Sequence, residues 1–357
     1  MDKHTSLQED IINKTINFYK NNTKGYLNLA MRIGKTRITL EVLKKLNYEN
    51  KKVLIAYPDN KLKQNWKDEC VKWEYDDVFV TYVNFSSIKK HMDKIYDFFI
   101  CDEFHSLSEN EKNLSKKINS KFHLFLSGTI SEDTKLKWPE FLQIFEYSTE
   151  LGIINNILAD YTITVHMVAL DNIVRTKDKK GKLKTEKQRY DAYTWVIEKL
   201  KDENRNFMQL ALARNRLSLS SLGKTNYLRR LLKKLKDSRV VVFTGLAKVA
   251  DEIGVPSYHS KSPNDDAFTG FQKGEHNHLA LAAMGKVGVT YKALDSVILL
   301  NFTYNAEETS QILNRAIKLD YKNKVADLHV ICLNEKAELK KIKESLSMLD
   351  ETKIKYV

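Results

Sequence analysis

The chain has 357 residues and a mass of 41.5 kDa, enough for two domains of ordinary size, and its 42% hydrophobic and 10% aromatic content excludes a disordered protein. Lys and Arg number 59 against 46 Asp and Glu, a formal +13 with a pI near 9.3, so a polyanion is the expected partner, either nucleic acid or an anionic membrane surface. No apolar run approaches the roughly 18 residues that span a bilayer, and the polar start at residues 1–10 lacks the apolar stretch of a secretory signal, so a cytoplasmic, non-secreted protein without membrane attachment is expected.

Taken in chain order, Val53–Tyr57 and residues 78–83, 98–101 and 122–126 are short runs rich in β-branched or aromatic side chains. They predict buried strands, separated by segments long enough for crossover helices. A second set follows at residues 240–243, 279–283, 297–301 and 328–332. The pattern predicts an α/β protein of two blocks, residues 1–155 and 210–357, each a parallel sheet flanked by helices. Residues 156–209 are expected to form a connecting segment. Within it, 161–170 alternates like a half-exposed strand, and 172–190 holds eight basic and two acidic residues, a net +6, with Gly181 near the middle. A flexible loop or hairpin tip is expected there. Residues 221–236 carry six basic residues and no acid, with Leu228, Leu231, Leu232 and Leu235 at helical spacing. This is either an amphipathic helix whose lysines face solvent or a nucleic-acid track. Cys70, Cys101 and Cys332 are too far apart for a CxxC pair, so buried free thiols are expected.

Residues 27–39 read L-N-L-A-M-R-I-G-K-T-R-I-T, an apolar run, then Gly34-Lys35-Thr36, then the start of a helix. A phosphate-binding loop needs backbone N–H groups turned around an anion at a helix N-terminus, an ammonium for the β- and γ-phosphates, and a hydroxyl for Mg²⁺. Lys35 and Thr36 supply the last two. The full pattern would place glycine at position 29, where Leu29 stands, so an ordinary helix start remains open. Downstream, an apolar run ends in Asp102-Glu103-Phe104-His105. Carboxylates at the C-terminal edge of a parallel strand lie where such sheets bind ligands. Asp102 could hold a water of the Mg²⁺ shell while Glu103 deprotonates an attacking water. A solvated strand-end turn is the alternative.

With these residues in place, the chain resembles superfamily 2 helicases and translocases of the DExH type, and within them the compact Swi/Snf-like branch of phages and large viruses. Gln8 stands where that family has its adenine-reading glutamine. The loop has the glycine-poor form Met31-Arg32-Ile33-Gly34-Lys35-Thr36, and Pro58, Leu62, Asn65-Trp66 and Glu69 follow the branch's next signature. Asp102-Glu103-Phe104-His105 and a coupling motif, Ser127-Gly128-Thr129, come next. Gly285, Gly288-Val289-Thr290 and Ala293 resemble the fifth motif; Tyr304-Asn305-Ala306 stands for Trp-Asn-Pro. Gln311, Arg315 and Lys318 fill the sixth. Asn314 replaces a frequent glycine, and Lys318 replaces the last arginine of that motif.

The resemblance implies two tandem RecA-like domains with ATP and Mg²⁺ held between them. Its ATP-binding set is Gln8, Met31, Arg32, Ile33, Gly34, Lys35, Thr36, Arg37, Gly288, Gln311, Arg315 and Lys318. Thr36 and Asp102 serve the metal, Glu103 the attacking water, and Arg315 is the arginine finger. His105, Ser127 and Thr129 couple nucleotide to movement. Nucleic-acid backbone contacts are implied at Lys61, Lys63, Asn65, Ser86, Thr244, Gly245, His259, Ser260, Lys261 and Thr290. Such contacts position without reading sequence. For His259 a turn residue is the alternative. His276 and His278 are read as surface, and Trp66 and Trp73, seven apart on one helix, as core. The implied activity is that of a monomeric ATP-dependent motor, a DNA helicase or translocase working with accessory replication or recombination proteins. An RNA helicase and an ATP-switched annealing clamp are the alternatives, and the intact Asp102-Glu103 pair favours hydrolysis over a switch.

Overall fold

The computed structural model describes residues 2–128, 130, 132–177, 181–262, 265–282, 291, 294–301, 306–314, 317 and 325–357, the side chains of Lys61, Glu307 and Gln311 apart. Two compact units divide the chain, one built chiefly on residues 1–160 and one on residues 161–286, 291–316 and 325–357.

In the first unit, strands β1 (Lys24–Leu29), β2 (Val53–Tyr57), β3 (Val80–Asn84), β4 (Ile95–Asp102), β5 (Asn119–Ser127) and β6 (Leu142–Tyr147) form, among the described residues, one six-stranded sheet in the order β3-β2-β4-β5-β1-β6. Every pairing in it is parallel. Parallel strands need cover on both faces, and β2 is accordingly buried at all of its positions. Helix α1 (Lys3–Phe18) starts at Asp2, whose carboxylate accepts the Thr5 N–H. Its inner face carries Gln8, Ile11, Ile12 and Thr15 at helical spacing. Helix α1 packs on α2 (Lys35–Lys45) and β6, and α2 packs on α3 (Asn60–Lys72), which lies against β2. Three short helices, α4 (Glu109–Lys116), α5 (Glu132–Leu136) and α6 (Thr149–Ile154), complete the unit. Phe125 stacks on Phe141 at 4.2 Å in a cluster with Phe104 and Trp138.

The second unit holds strands β7 (Tyr161–Val168), β8 (Thr176–Lys177), β9 (Leu183–Lys184), β10 (Val240–Thr244), β11 (Ser257–His259), β12 (His278–Ala282), β13 (Ser296–Leu299), β14 (Ala326–Leu333) and β15 (Ile354–Tyr356). Its parallel sheet has the order β11-β12-β10-β13-β14-β7-β15, while β8 and β9 pair as an antiparallel hairpin. The described helices are α7 (Glu186–Asp202), α8 (Met208–Leu219), α9 (Leu222–Lys234), α10 (Ala247–Glu252), α11 (Asp266–Lys273), α12 (Ala306–Leu313) and α13 (Lys336–Ser345).

One expectation changes here. Residues 161–168 were read as part of a connecting segment, but β7 lies inside the second sheet, in register with β14 from Tyr161↔Ala326 to Val168↔Leu333. Its alternation breaks at His166, because Tyr161, Ile163 and Val165 are buried on one face and His166 and Val168 on the other. The basic stretch 172–190 is a hairpin leading into α7, and its base is fixed. Glu186 is buried and accepts backbone N–H groups from Asp171, Leu222 and Gly223 at 2.8, 3.1 and 3.4 Å. Helix α9 packs Leu228, Leu231 and Leu232 on the sheet, as the leucine spacing predicts. Cys70, Cys101 and Cys332 are buried and free. Among the described residues no helix is long and apolar enough to cross a membrane.

Candidate active site

In a parallel sheet every strand delivers its C-terminus to one edge, and the order β4-β5-β1 places three predicted segments side by side at that edge. They are the loop after β1, the Asp102-Glu103 pair closing β4, and Ser127-Gly128 closing β5. The loop turns at Arg32 and Gly34, both left-handed with φ +69° and +97°. Gly34 tolerates this because it lacks a Cβ. A Cβ there would also lie 2.3 Å from Gln8 Nε2.

Gln8 is 2% exposed and reaches across from α1. Its Nε2 donates to the Ile33 carbonyl at 2.6 Å, and its Oε1 accepts from Arg37 Nη1 at 2.5 Å. His4 Nε2 lies 3.1 Å from the same carbonyl. The Arg37 guanidinium stacks 4.2 Å above the Trp73 ring, so Trp73, read from the sequence as core, is a half-buried platform for this arginine.

At the other end of the loop, Lys35 Nζ lies 3.1 Å from Glu103 Oε1. His105 Nδ1 sits 2.8 Å from Ser127 Oγ and 3.5 Å from Glu103 Oε2, so it links the ends of β4 and β5. Asp102 is 4% exposed; its Oδ2 accepts the Trp66 indole N–H at 2.9 Å. Burial and the Glu103 charge push the Asp102 carboxyl up to about 6, opposed by Lys35 and the Trp66 hydrogen bond.

This arrangement fits a nucleotide phosphate with its magnesium. Asp102 Oδ1 is buried with no hydrogen-bond partner among the described residues, a free acceptor for a metal-bound water. A Cβ on Gly128 would stand 3.1 Å from Lys35 Nζ, so the glycine keeps space open at the ammonium.

Residues 2–132 match the model of the family described as type III restriction enzyme, res subunit. That match takes in 131 of the 357 residues, and with them Lys35, Asp102 and Glu103. Among solved structures the chain is similar to an ATP-dependent Type ISP restriction-modification enzyme, LlaBIII, bound to DNA, with a TM-score of 0.63 and 12% identity. The match covers 100% of this chain and 31% of that one, so the chain spans about a third of that enzyme's length. At that identity the likeness shows the fold, two RecA-like α/β units in tandem. No curated protein matches the chain.

The residues predicted from the sequence for the site, Gln8, Ile33, Gly34, Lys35, Arg37, Asp102, Glu103, His105 and Ser127, are thus gathered at one edge of the first unit. Met31, Arg32 and Thr36 lie on the same loop and helix start. Thr129, Gly288, Thr290, Arg315 and Lys318 lie outside the described residues, as do the side chains of Lys61 and Gln311.

Of the expected nucleic-acid contacts, Lys63 and Asn65 are half-buried on α3, and Ser86, Gly245, Ser260 and Lys261 are exposed. Two others are corrected. Thr244 is 2% exposed and its hydroxyl is spent on the Leu246 and Leu281 carbonyls, so it cannot reach a phosphate. His259 is buried, with Nε2 2.9 Å from Asp251 Oδ1 and Nδ1 accepting from Lys261 N, which makes it the turn residue of the two readings. His276 and His278 are not simply surface residues; each ring meets a backbone carbonyl, of Ala267 and Leu235 respectively. Sequence reasoning missed Trp66 and His4 as parts of the site. The Leu62–Trp66–Cys70 spacing marks the inner face of α3, but nothing local names Asp102 as the partner.

Proposed function

We propose that the chain is an ATP-driven nucleic-acid motor, acting on DNA as a translocase or helicase. The observation that carries this reading is the convergence of Lys35, Asp102-Glu103 and Ser127 at one sheet edge within a helicase-type domain. Lys35 would take the β- and γ-phosphates, and Thr36 and Asp102 would hold magnesium, which when bound neutralises phosphate charge. Glu103 would orient and deprotonate the attacking water once Lys35 turns to phosphate. Its link through His105 to Ser127 offers a route by which a change at the γ-phosphate moves the end of β5. Arg315 is proposed as the finger that stabilises charge on the transferring phosphoryl group, with Lys318 a weaker phosphate contact. Gln8 and Arg37 brace the loop near the base of the nucleotide.

DNA is preferred because the LlaBIII structure is DNA-bound and the motif set resembles a branch that mostly acts on DNA. Ser86, Lys63, Asn65, Gly245, Ser260 and Lys261 remain the proposed backbone contacts, acting in a cytoplasmic monomer. Movement is the decisive property: the full chain should displace a third strand from a DNA triplex when ATP is supplied. Strand release from a forked duplex would add unwinding, and ATP-independent annealing without displacement would instead support the clamp.

A further inference from the structure

Trp66 is a large aromatic side chain with no exposed surface, between Leu62 and Cys70 on the inner face of α3. Its indole can donate a hydrogen bond but cannot accept one. That donor is spent on Asp102 Oδ2 at 2.9 Å, across 36 residues of sequence. The other oxygen of the same carboxylate, Oδ1, is buried without a partner among the described residues. A carboxylate at the end of a strand can rotate about its last bond and exchange its two oxygens. A fixed donor on one oxygen holds the carboxylate plane, because intermediate rotations would leave a buried N–H unpaired at a cost of about 1–3 kcal/mol, and a half-turn only presents the equivalent oxygen to the same donor.

We propose that Trp66 is a positioning residue: its indole N–H locks the Asp102 carboxylate so that Oδ1 alone faces the magnesium shell. The inference rests on the nucleotide reading above and deepens it. It explains why an aromatic of this size on α3 ends in a polar contact rather than in the aromatic cluster of Phe104, Phe125 and Trp138 on the same unit. A supporting partner that orients a ligating carboxylate affects metal affinity by roughly 10–100-fold when removed.

The test replaces Trp66 in the full chain by 3-benzothienylalanine, a near-isostere with sulfur in place of the N–H, alongside Trp66→Phe. Manganese binding in the presence of ADP is followed by electron paramagnetic resonance, and ADP binding is measured without metal. Manganese affinity should fall about 10–100-fold in both variants, ADP affinity without metal should stay within about twofold, and the melting temperature of the isostere should match wild type. The magnesium needed for half-maximal ATPase should rise by the same factor. An isostere with wild-type manganese affinity and magnesium dependence would overturn the positioning role while leaving the ATPase reading intact. A wild-type chain that binds neither ADP nor manganese–ADP would instead remove the nucleotide reading itself, and this inference with it.

Discussion

The side-chain amide of Gln8 donates to the backbone carbonyl of Ile33 at 2.6 Å, tying helix α1 to the middle of the loop after β1. Because Gly34 Cα faces the same amide, the loop and the glutamine are fitted to each other. Gly34→Ala would put a methyl 2.3 Å from Gln8 Nε2 and force an L-residue to φ +97°. We expect a loss of about 1–3 kcal/mol in stability and a raised KM for ATP. Part of that cost is the displaced amide, so in a Gln8→Ala background the same substitution should cost measurably less. Thermal unfolding of the four-member cycle checks this; strict additivity would show that the two residues do not interact.

In the second unit Lys224, on α9, is 2% exposed, although its segment reads as a solvated basic face. Its ammonium lies 3.3 Å from Glu338 Oε2 and 3.4 Å from the Leu300 carbonyl, and Ser218 donates to Glu338 Oε1 at 2.5 Å. Burial works to raise the Glu338 carboxyl, but Lys224 and Ser218 together hold it below its ordinary range. Lys224→Met would take the contacting ammonium from a buried carboxylate, a loss of about 3–5 kcal/mol. Adding Glu338→Leu should restore most of it. Calorimetric unfolding of both variants decides; a single variant as stable as wild type would contradict the pairing.

Acid should weaken the fold through two buried histidines. Burial, with Lys24 nearby, lowers His123 to about 4, and burial, with His329 beside it, lowers His166 to about 4. Unfolded histidine has a pKa near 6.5, so below that pH the unfolded chain takes up protons that the folded chain refuses. Stability is therefore full above about pH 6.5 and falls as pH drops towards 4, by up to about 3 kcal/mol for His123. A His123→Leu variant should show a flatter decline of melting temperature between pH 7 and 4.5. A decline parallel to wild type would exclude His123 as a contributor.

The basic hairpin should bind phosphate, but not with all of its lysines. Lys187 bridges Asp191 at 2.7 Å and Glu335 at 3.0 Å at the base of the hairpin, and Lys177 and Lys182 lie exposed further along it. Replacing Lys177, Lys182 and Lys184 by Gln should weaken single-stranded DNA binding and flatten the log–log salt slope by about 2. Basal ATPase should be retained. Anisotropy titrations over a salt series read this directly, and an unchanged slope would make the hairpin's charge a solvated surface.

What was legible in the sequence follows a physical division. Asp102, Glu103 and Lys35 could be placed because strand ends and helix starts are local features, and a parallel sheet brings them to one edge automatically. The Trp66–Asp102 bond could not be read, since it depends on how α3 settles on its neighbours. Lys224 looked like its exposed neighbours on α9 because its burial comes from Glu338, 114 residues on. β7 was assigned to a connection because chain order hides its place between β14 and β15. Thr244 and His259 carry the right chemistry for nucleic acid, but the turns around them consume it.

The central claim is that ATP turnover at the Lys35–Glu103 edge is coupled to nucleic acid, and the most direct measurement is ATPase rate with and without single-stranded DNA, duplex DNA, forked DNA and RNA. Wild type should be stimulated by DNA, and Lys35→Ala, with its fold intact by circular dichroism, should be inactive under every condition. A rate that no nucleic acid raises, or a fully active Lys35→Ala variant, would contradict the account.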